Sequence, residues 1–124
     1  MSKKDYDIEV YVGSGNVFED LGFPNPQEAL AKSELAGEIH QVIKSRKLTQ
    51  KQAAEIMGIA QPKVSDIARG KLSKFTIDRL MRFLRLLGRD IEIRVKKHTQ
   101  RSVPPTLQVV GVNPSKTPGK RLSA

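Results

Sequence analysis

The chain has no cysteine and no tryptophan, two histidines, and aromatic residues at 5% of its 124 positions. Without cysteine, disulfides and thiolate metal sites are excluded, and a cytosolic (cytoplasmic) protein is the default expectation. No apolar run approaches the roughly 18 residues a membrane helix needs, so no membrane contact is expected. The opening MSKKDYD lacks the apolar core of a signal peptide. His40 and His98 lie far apart without companions at metal-ligand spacing, so no metal and no cofactor is expected. Gly13 and Gly15 are not followed by Gly-Lys-Ser/Thr and do not make a phosphate loop. No Ser–His or His–carboxylate spacing suggests an enzyme. A basic ribonuclease working through Lys, Arg and His is the alternative from that class, and it would lose RNA cleavage in a His40 or His98 variant.

Acid is scarce after the first third of the chain. Residues 1–43 carry 3 Lys/Arg and 8 Asp/Glu, whereas residues 44–101 carry 16 and 5. Residues 102–124 carry 3 basic residues and no acid. An acidic head thus precedes a basic body, within a net charge of +9. Such a body attracts a polyanion through Coulomb forces and counterion release, and nucleic acid is the usual one.

The periodicities divide the chain into three parts. Residues 1–25 form an acidic head, expected to be loosely ordered, with an alternating run at 8–12 that reads as a strand without a partner. Residues 26–98 form the folded body. Its first helix is expected to start at Asn25 and Pro26, with Glu28 completing a capping box, and to bury Leu35, Ile39, Val42 and Ile43. Thr49 and Gln52 make a T-x-x-Q capping box for the next helix, whose inner residues are Ala53, Ala54, Ile56 and Met57 and whose stop is Gly58. A further helix from Gln61 and Pro62 buries Val64, Ile67 and Ala68 and ends at Gly70. Thr76 caps the last one, with Ile77, Leu80, Met81, Leu84 and Leu87 inside, Gly88 as the stop, and Arg79, Arg82, Arg85 and Arg89 as a solvated face. The period then drops to two in DIEIRVK, which predicts a strand at 90–97 needing an edge from the head or from a second copy. Residues 99–124 hold four of the seven prolines and are expected to be a basic, disordered tail, with LQVVGV as a possible short strand.

The stretch LTQKQAAEIMGIAQPKVSDIARG has the ingredients of a helix-turn-helix. Ala54 is small enough for a close helix crossing, Gly58 tolerates a positive φ in the turn, and Ile59, Val64 and Ile67 fill the inner faces. The outward residues are then Gln61, Lys63, Ser65, Asp66 and Arg69. Gln can pair bidentately with adenine, Lys can donate to guanine and Asp can accept from cytosine. Asp66 can alternatively orient a neighbouring Lys or Arg.

The run of Gln50, Ala54, Gly58, Gln61, Val64, Ser65 and Gly70 resembles the Xre/Cro group of phage-repressor-type helix-turn-helix proteins over about residues 30–88. VFEDLGFPNPQEALAKSELAGEIHQVIKSRKLTQKQAAEIMGI followed by FTIDRLMRFLRLLGRDIEI is similar to regulators grouped with HigA-type antitoxins. The resemblance implies a mainly α, lambda-repressor-like bundle of four to five helices with a short C-terminal strand and flexible termini. It implies a repressor of its own promoter that binds double-stranded DNA as a homodimer on paired half-sites. It further implies an antitoxin that holds a small basic toxin, for which Asp5, Asp7, Glu9, Glu19 and Asp20 would suit; a stand-alone regulator is the alternative. Carried over by position, Gln61, Lys63 and Asp66 read bases, while Thr49, Gln50, Lys51, Ser65, Arg69, Lys71 and Lys74 contact phosphate. Pro62 stands where the group usually has a polar residue, which removes one possible base contact.

Overall fold

Ala31, Leu35, Ala36, Ile39 and Val42 recur at helical spacing, and they build the central helix of the fold. In the computed structural model, which describes residues 17–111, all five are buried on α2 (Pro26–Ser45), preceded by a short α1 (Val17–Asp20). Three more helices follow: α3 (Gln50–Met57), α4 (Gln61–Ala68) and α5 (Ile77–Leu86). α2 packs on α5, α4 and α1, and α3 packs on α4 and α5. The core is mainly α, as expected, and centres on Ile39, Val42, Leu80 and Leu87, each 1% exposed or less.

The helix starts follow local chemistry. The Thr49 hydroxyl accepts from the Gln52 amide at 3.0 Å, and the Gln52 side chain accepts from the Thr49 amide at 2.9 Å. This reciprocal pair satisfies two donors that the first turn would otherwise leave open. Thr76 accepts from the Arg79 amide at 3.1 Å. The box expected at Asn25 does not form. Asn25 sits at the cap position with Pro26 behind it, but its ψ of 75° is short of the extended range, and its side chain makes no cap bond. Glu28 still lies in the first turn, where its charge complements the helix dipole.

The helices also end alike. The amides of Phe23, Leu48, Ile59, Lys71 and Arg89 each bond the carbonyl five residues back, at 2.8 to 3.1 Å. That closure needs a left-handed residue just before the donor. Gly58 fills the position for α3 with φ 72°. After α2 the position is held by Lys47 at φ 56°, the one non-glycine residue with positive φ among those described.

Several expectations are corrected. Residues 17–25 belong to the folded body, because α1 packs on α2 and Phe18 meets Phe23 edge to face at 5.0 Å. Residues 1–16, with the run at 8–12 and Asp5, Asp7 and Glu9, lie outside the described residues. Ala68 is exposed as the last residue of α4, at the flank of the stripe that Val64 and Ile67 bury. Phe75 and Phe83 join the core instead, 2% and 4% exposed, with rings 6.1 Å apart. Arg79 leaves the solvated face and lies over both rings, 5.1 and 5.5 Å from their centroids. No strand forms at 90–97 or within LQVVGV among the described residues. A strand needs an edge to bond, and none of those residues supplies one.

Residues 107–111 of the expected free tail lie across α2. The Leu107 amide donates to Gln27 Oε1 at 3.2 Å, and Val109 packs on the core. A Cβ on Gly111 would fall on the Glu38 carboxylate. Burial beneath this segment raises the Glu34 carboxyl above its ordinary 4.5, partly offset by the Val109 amide. Burial likewise raises Glu38, with the nearby Arg89 charge opposing it. Both groups therefore favour the fold when protonated. Their contribution is full below pH 4.5 and is lost as pH rises through the raised values.

Three stability outcomes follow from this packing. Leu80→Ala, at a position with no exposed area, should cost about 2–5 kcal/mol in urea unfolding, a large share of a small domain's stability. Thr49→Ala should cost about 1 kcal/mol by loss of the cap. Glu38→Gln should be more stable than the parent chain at pH 7 and equal to it near pH 4, as read by paired thermal melts.

Candidate nucleic-acid interface

The α3–α4 pair spends its apolar residues inward. Ala53, Ala54 and Met57 on α3 and Val64 and Ile67 on α4 are buried. Ile56 and Ile59 pack against the same core from its margin. Ala53 has no exposed area and Ala54 has 6%, so α3 presents two small residues where its neighbours come close. The turn between the helices is closed by the Gly58 amide on the Ala54 carbonyl at 2.8 Å. What remains outside is polar.

On α4, Gln61 and Lys63 are exposed, together with Pro62 between them. The N-cap of α4 is Ala60, which gives no side-chain cap bond. Pro62 has no amide to satisfy and is preset for a first turn, which lowers the cost of that uncapped start. Ser65 and Asp66 are half-buried, and Arg69 is exposed just beyond the helix. Asp66 Oδ1 holds Arg69 Nη2 at 3.1 Å. The Asp66 carboxylate is therefore paired with a cation of its own chain, as the orienting alternative requires. Exposed pairs of this kind contribute little stability, typically under about 1 kcal/mol, so the effect is positional.

On α3, Gln50 and Lys51 are exposed in the first turn. The Thr49 hydroxyl oxygen is committed to the Gln52 amide, which leaves its proton as the group free to donate. Lys71 and Lys74 are exposed in the loop after α4. That loop is pinned at both ends. The Lys71 amide bonds the Asp66 carbonyl at 2.8 Å, and Phe75 is buried with its amide on the Leu72 carbonyl at 3.0 Å. Two lysines are thus carried on a constrained backbone.

The structure therefore places the outward residues of α4, the first turn of α3 and the loop at 70–75 on connected, mutually packed elements. From 49 to 79 this region has six Lys/Arg (Lys51, Lys63, Arg69, Lys71, Lys74 and Arg79) and three acids (Glu55, Asp66 and Asp78). The Asp66–Arg69 pair and the stacking of Arg79 were not separable from the surface pattern in sequence. Spacing by three permits the pair without deciding it, and the rings that hold Arg79 come from a loop and a neighbouring helix turn.

Among the described residues there is no group of three or more His, Cys, Asp or Glu that could hold a metal ion. No helix among them is long and apolar enough to cross a membrane. His40 is exposed on α2, and His98 Nε2 lies 2.8 Å from the Val103 carbonyl oxygen.

Residues 17–96 match the protein family described as a helix-turn-helix domain. A solved structure assigned to the XRE family of transcriptional regulators is 36% identical to this chain, with a TM-score of 0.67. The alignment covers 72% of this chain and 100% of that one. No curated protein matches. The family match spans the buried α3–α4 pair and the helices that carry it, and the chain belongs to the helix-turn-helix domain family, as an XRE-type member.

Proposed function

We propose that this chain is a sequence-specific DNA-binding repressor that reads the major groove with α4 and binds an operator in its own promoter as a dimer. The observation that carries this reading is the outward face of α4, where Gln61 and Lys63 are exposed after Val64 and Ile67 are buried. An α-helix fits the major groove, and short or medium polar groups near its N-terminus reach base edges. Around it, Gln50, Lys51, Ser65, Arg69, Lys71 and Lys74 contact phosphate, with Thr49 donating through its hydroxyl. These contacts set affinity and register without choosing sequence. Asp66 acts by holding Arg69 in place.

One module buries too little surface to combine affinity with specificity, which is why the reading includes a dimer on half-sites about one helical turn apart. The antitoxin role rests on the similarity of residues 17–95 to HigA-type regulators. The acidic head is then the surface for a small basic toxin. Co-purification from the native host, full-length against a chain lacking residues 1–16, which keeps α1 on α2, tests it. A basic partner lost on truncation places the interface in the head. Operator binding with no partner leaves a stand-alone XRE-type repressor.

Gln61→Ala should cost about 1–3 kcal/mol on the operator and little on random DNA. Lys71→Ala should weaken both DNAs alike and reduce the salt slope by about 1. Titrations on both DNAs over a salt series check this pair, and equal losses for Gln61→Ala would remove its role as a base reader.

A further inference from the structure

Residues 90–96 read Asp-Ile-Glu-Ile-Arg-Val-Lys, a strict alternation of charged and apolar side chains. Their backbone groups make no backbone hydrogen bond among the described residues. Ile93 and Val95 are 74% and 93% exposed. Glu92 and Arg94 lie on one side of the segment, joined by a 2.6 Å ion pair. Such a segment is an open edge with apolar residues in water, a standing template for another strand.

We infer that this segment pairs antiparallel with the same segment of a second copy, about a two-fold axis through Ile93. Pairing about that axis sets Ile93 opposite Ile93, Glu92 opposite Arg94, Ile91 opposite Val95 and Asp90 opposite Lys96. Every charged pair is then of opposite sign and every apolar residue meets an apolar one. The symmetry makes each ion pair twice. No neighbouring register does this. An axis through Glu92 or Arg94 sets like charges on it, and an axis through Ile91 or Val95 sets like charges beside it. An axis between residues puts charged side chains opposite apolar ones. Directly opposed pairs are the unit of sheet stability, and like charges there destabilise.

A two-stranded ribbon is marginal by itself and needs a surface beneath its apolar face. Here that surface exists. A groove of about 370 Å³ runs between residues 89–94 and 107–111, lined by Leu35, Met81, Leu84, Leu107 and Val109, with Ile91 already packed on the core. Val95 of the second copy arrives beside Ile91 at this groove. Because the ribbon follows α5 directly, it ties the two copies of the bundle together. The inference deepens the dimeric reading above by naming its interface and register.

The test uses the full chain without DNA. By sedimentation the parent chain should be a dimer. Glu92→Arg and Arg94→Glu should each weaken self-association roughly tenfold or more, since each sets like charges opposite at two symmetry-related places. An equimolar mixture of the two variants should dimerise again, because the two basic side chains of one copy then face the two acidic ones of the other. The chain has no native cysteine, so Ile93→Cys should form an intermolecular disulfide on mild oxidation, and Val95→Cys should not. A monomeric parent chain overturns the inference, as pairing with the run at 8–12 of the same chain would produce. So does a mixture that stays monomeric with its helical circular dichroism intact. If a charge variant fails to fold, the Ile93→Cys and Val95→Cys pair decides: cross-linking at both or at neither overturns the register. A dimer that binds no operator defeats the DNA reading alone, and a monomer that binds operator defeats this inference and the dimeric part of that reading while leaving base reading by α4 in place.

Discussion

One apolar stripe on α2 is the constraint on which the rest depends. Ala31, Leu35, Ile39 and Val42 lie along one side of a 20-residue helix, and α1, α4 and α5 are all placed by contact with it. Ile39 and Val42 are 1% exposed, in the middle of that contact. Each large side chain buried this way contributes about 1.5–3 kcal/mol relative to exposure. The far end of the helix is tied in as well, because Arg46 Nη1 donates to the Leu87 carbonyl at 3.0 Å, at the close of α5. A cation at the C-terminal end of a helix satisfies an open carbonyl and is attracted to the negative end of the dipole.

The outward face follows from that packing and not from any property of its own. Since α3 and α4 commit their apolar residues to a core already anchored on α2 and α5, rotation of α4 about its axis would expose Val64 and Ile67. The polar residues are fixed outward by the cost of turning them inward, where a buried amide or ammonium would lack a partner. The loop at 70–75 gains its definition in the same way, through Phe75. A surface built like this is preorganised, so a ligand would meet it without first paying to order it.

The two ends of the body behave differently because they were given different partners. The segment at 107–111 has α2 beneath it and a Gln27 bond, so it lies down on the helix although its composition suggests a tail. The segment at 90–97 has a strand pattern and no edge within the described residues, so it stays unpaired. Composition sets what a segment can do, and the availability of a surface sets what it does.

Much of this was legible in the residues. The extents of α2 to α5, the Thr49 box, the Thr76 cap and the inward sets on α3 and α4 follow from spacing and local chemistry. These are interactions among residues within about four positions of one another, which the sequence states directly. Other features were decided only by the tertiary structure. Phe83 lies among arginines and Phe75 in a loop, and only the facing helices show that both are core. Asn25 occupies a cap position but the incoming chain gives it the wrong ψ. Arg79 stacks where a solvated face was expected, Asp66 takes Arg69, and the tail crosses α2 at Gln27 and Glu38. Each of these depends on groups brought together by the fold or on one of several geometries that the spacing allows. The sequence by itself determined the helices and the polarity of their faces, because those rest on local bonds and periodic burial. The pairing of surfaces distant along the chain was left to the tertiary structure, because no periodicity encodes which surface a segment will meet.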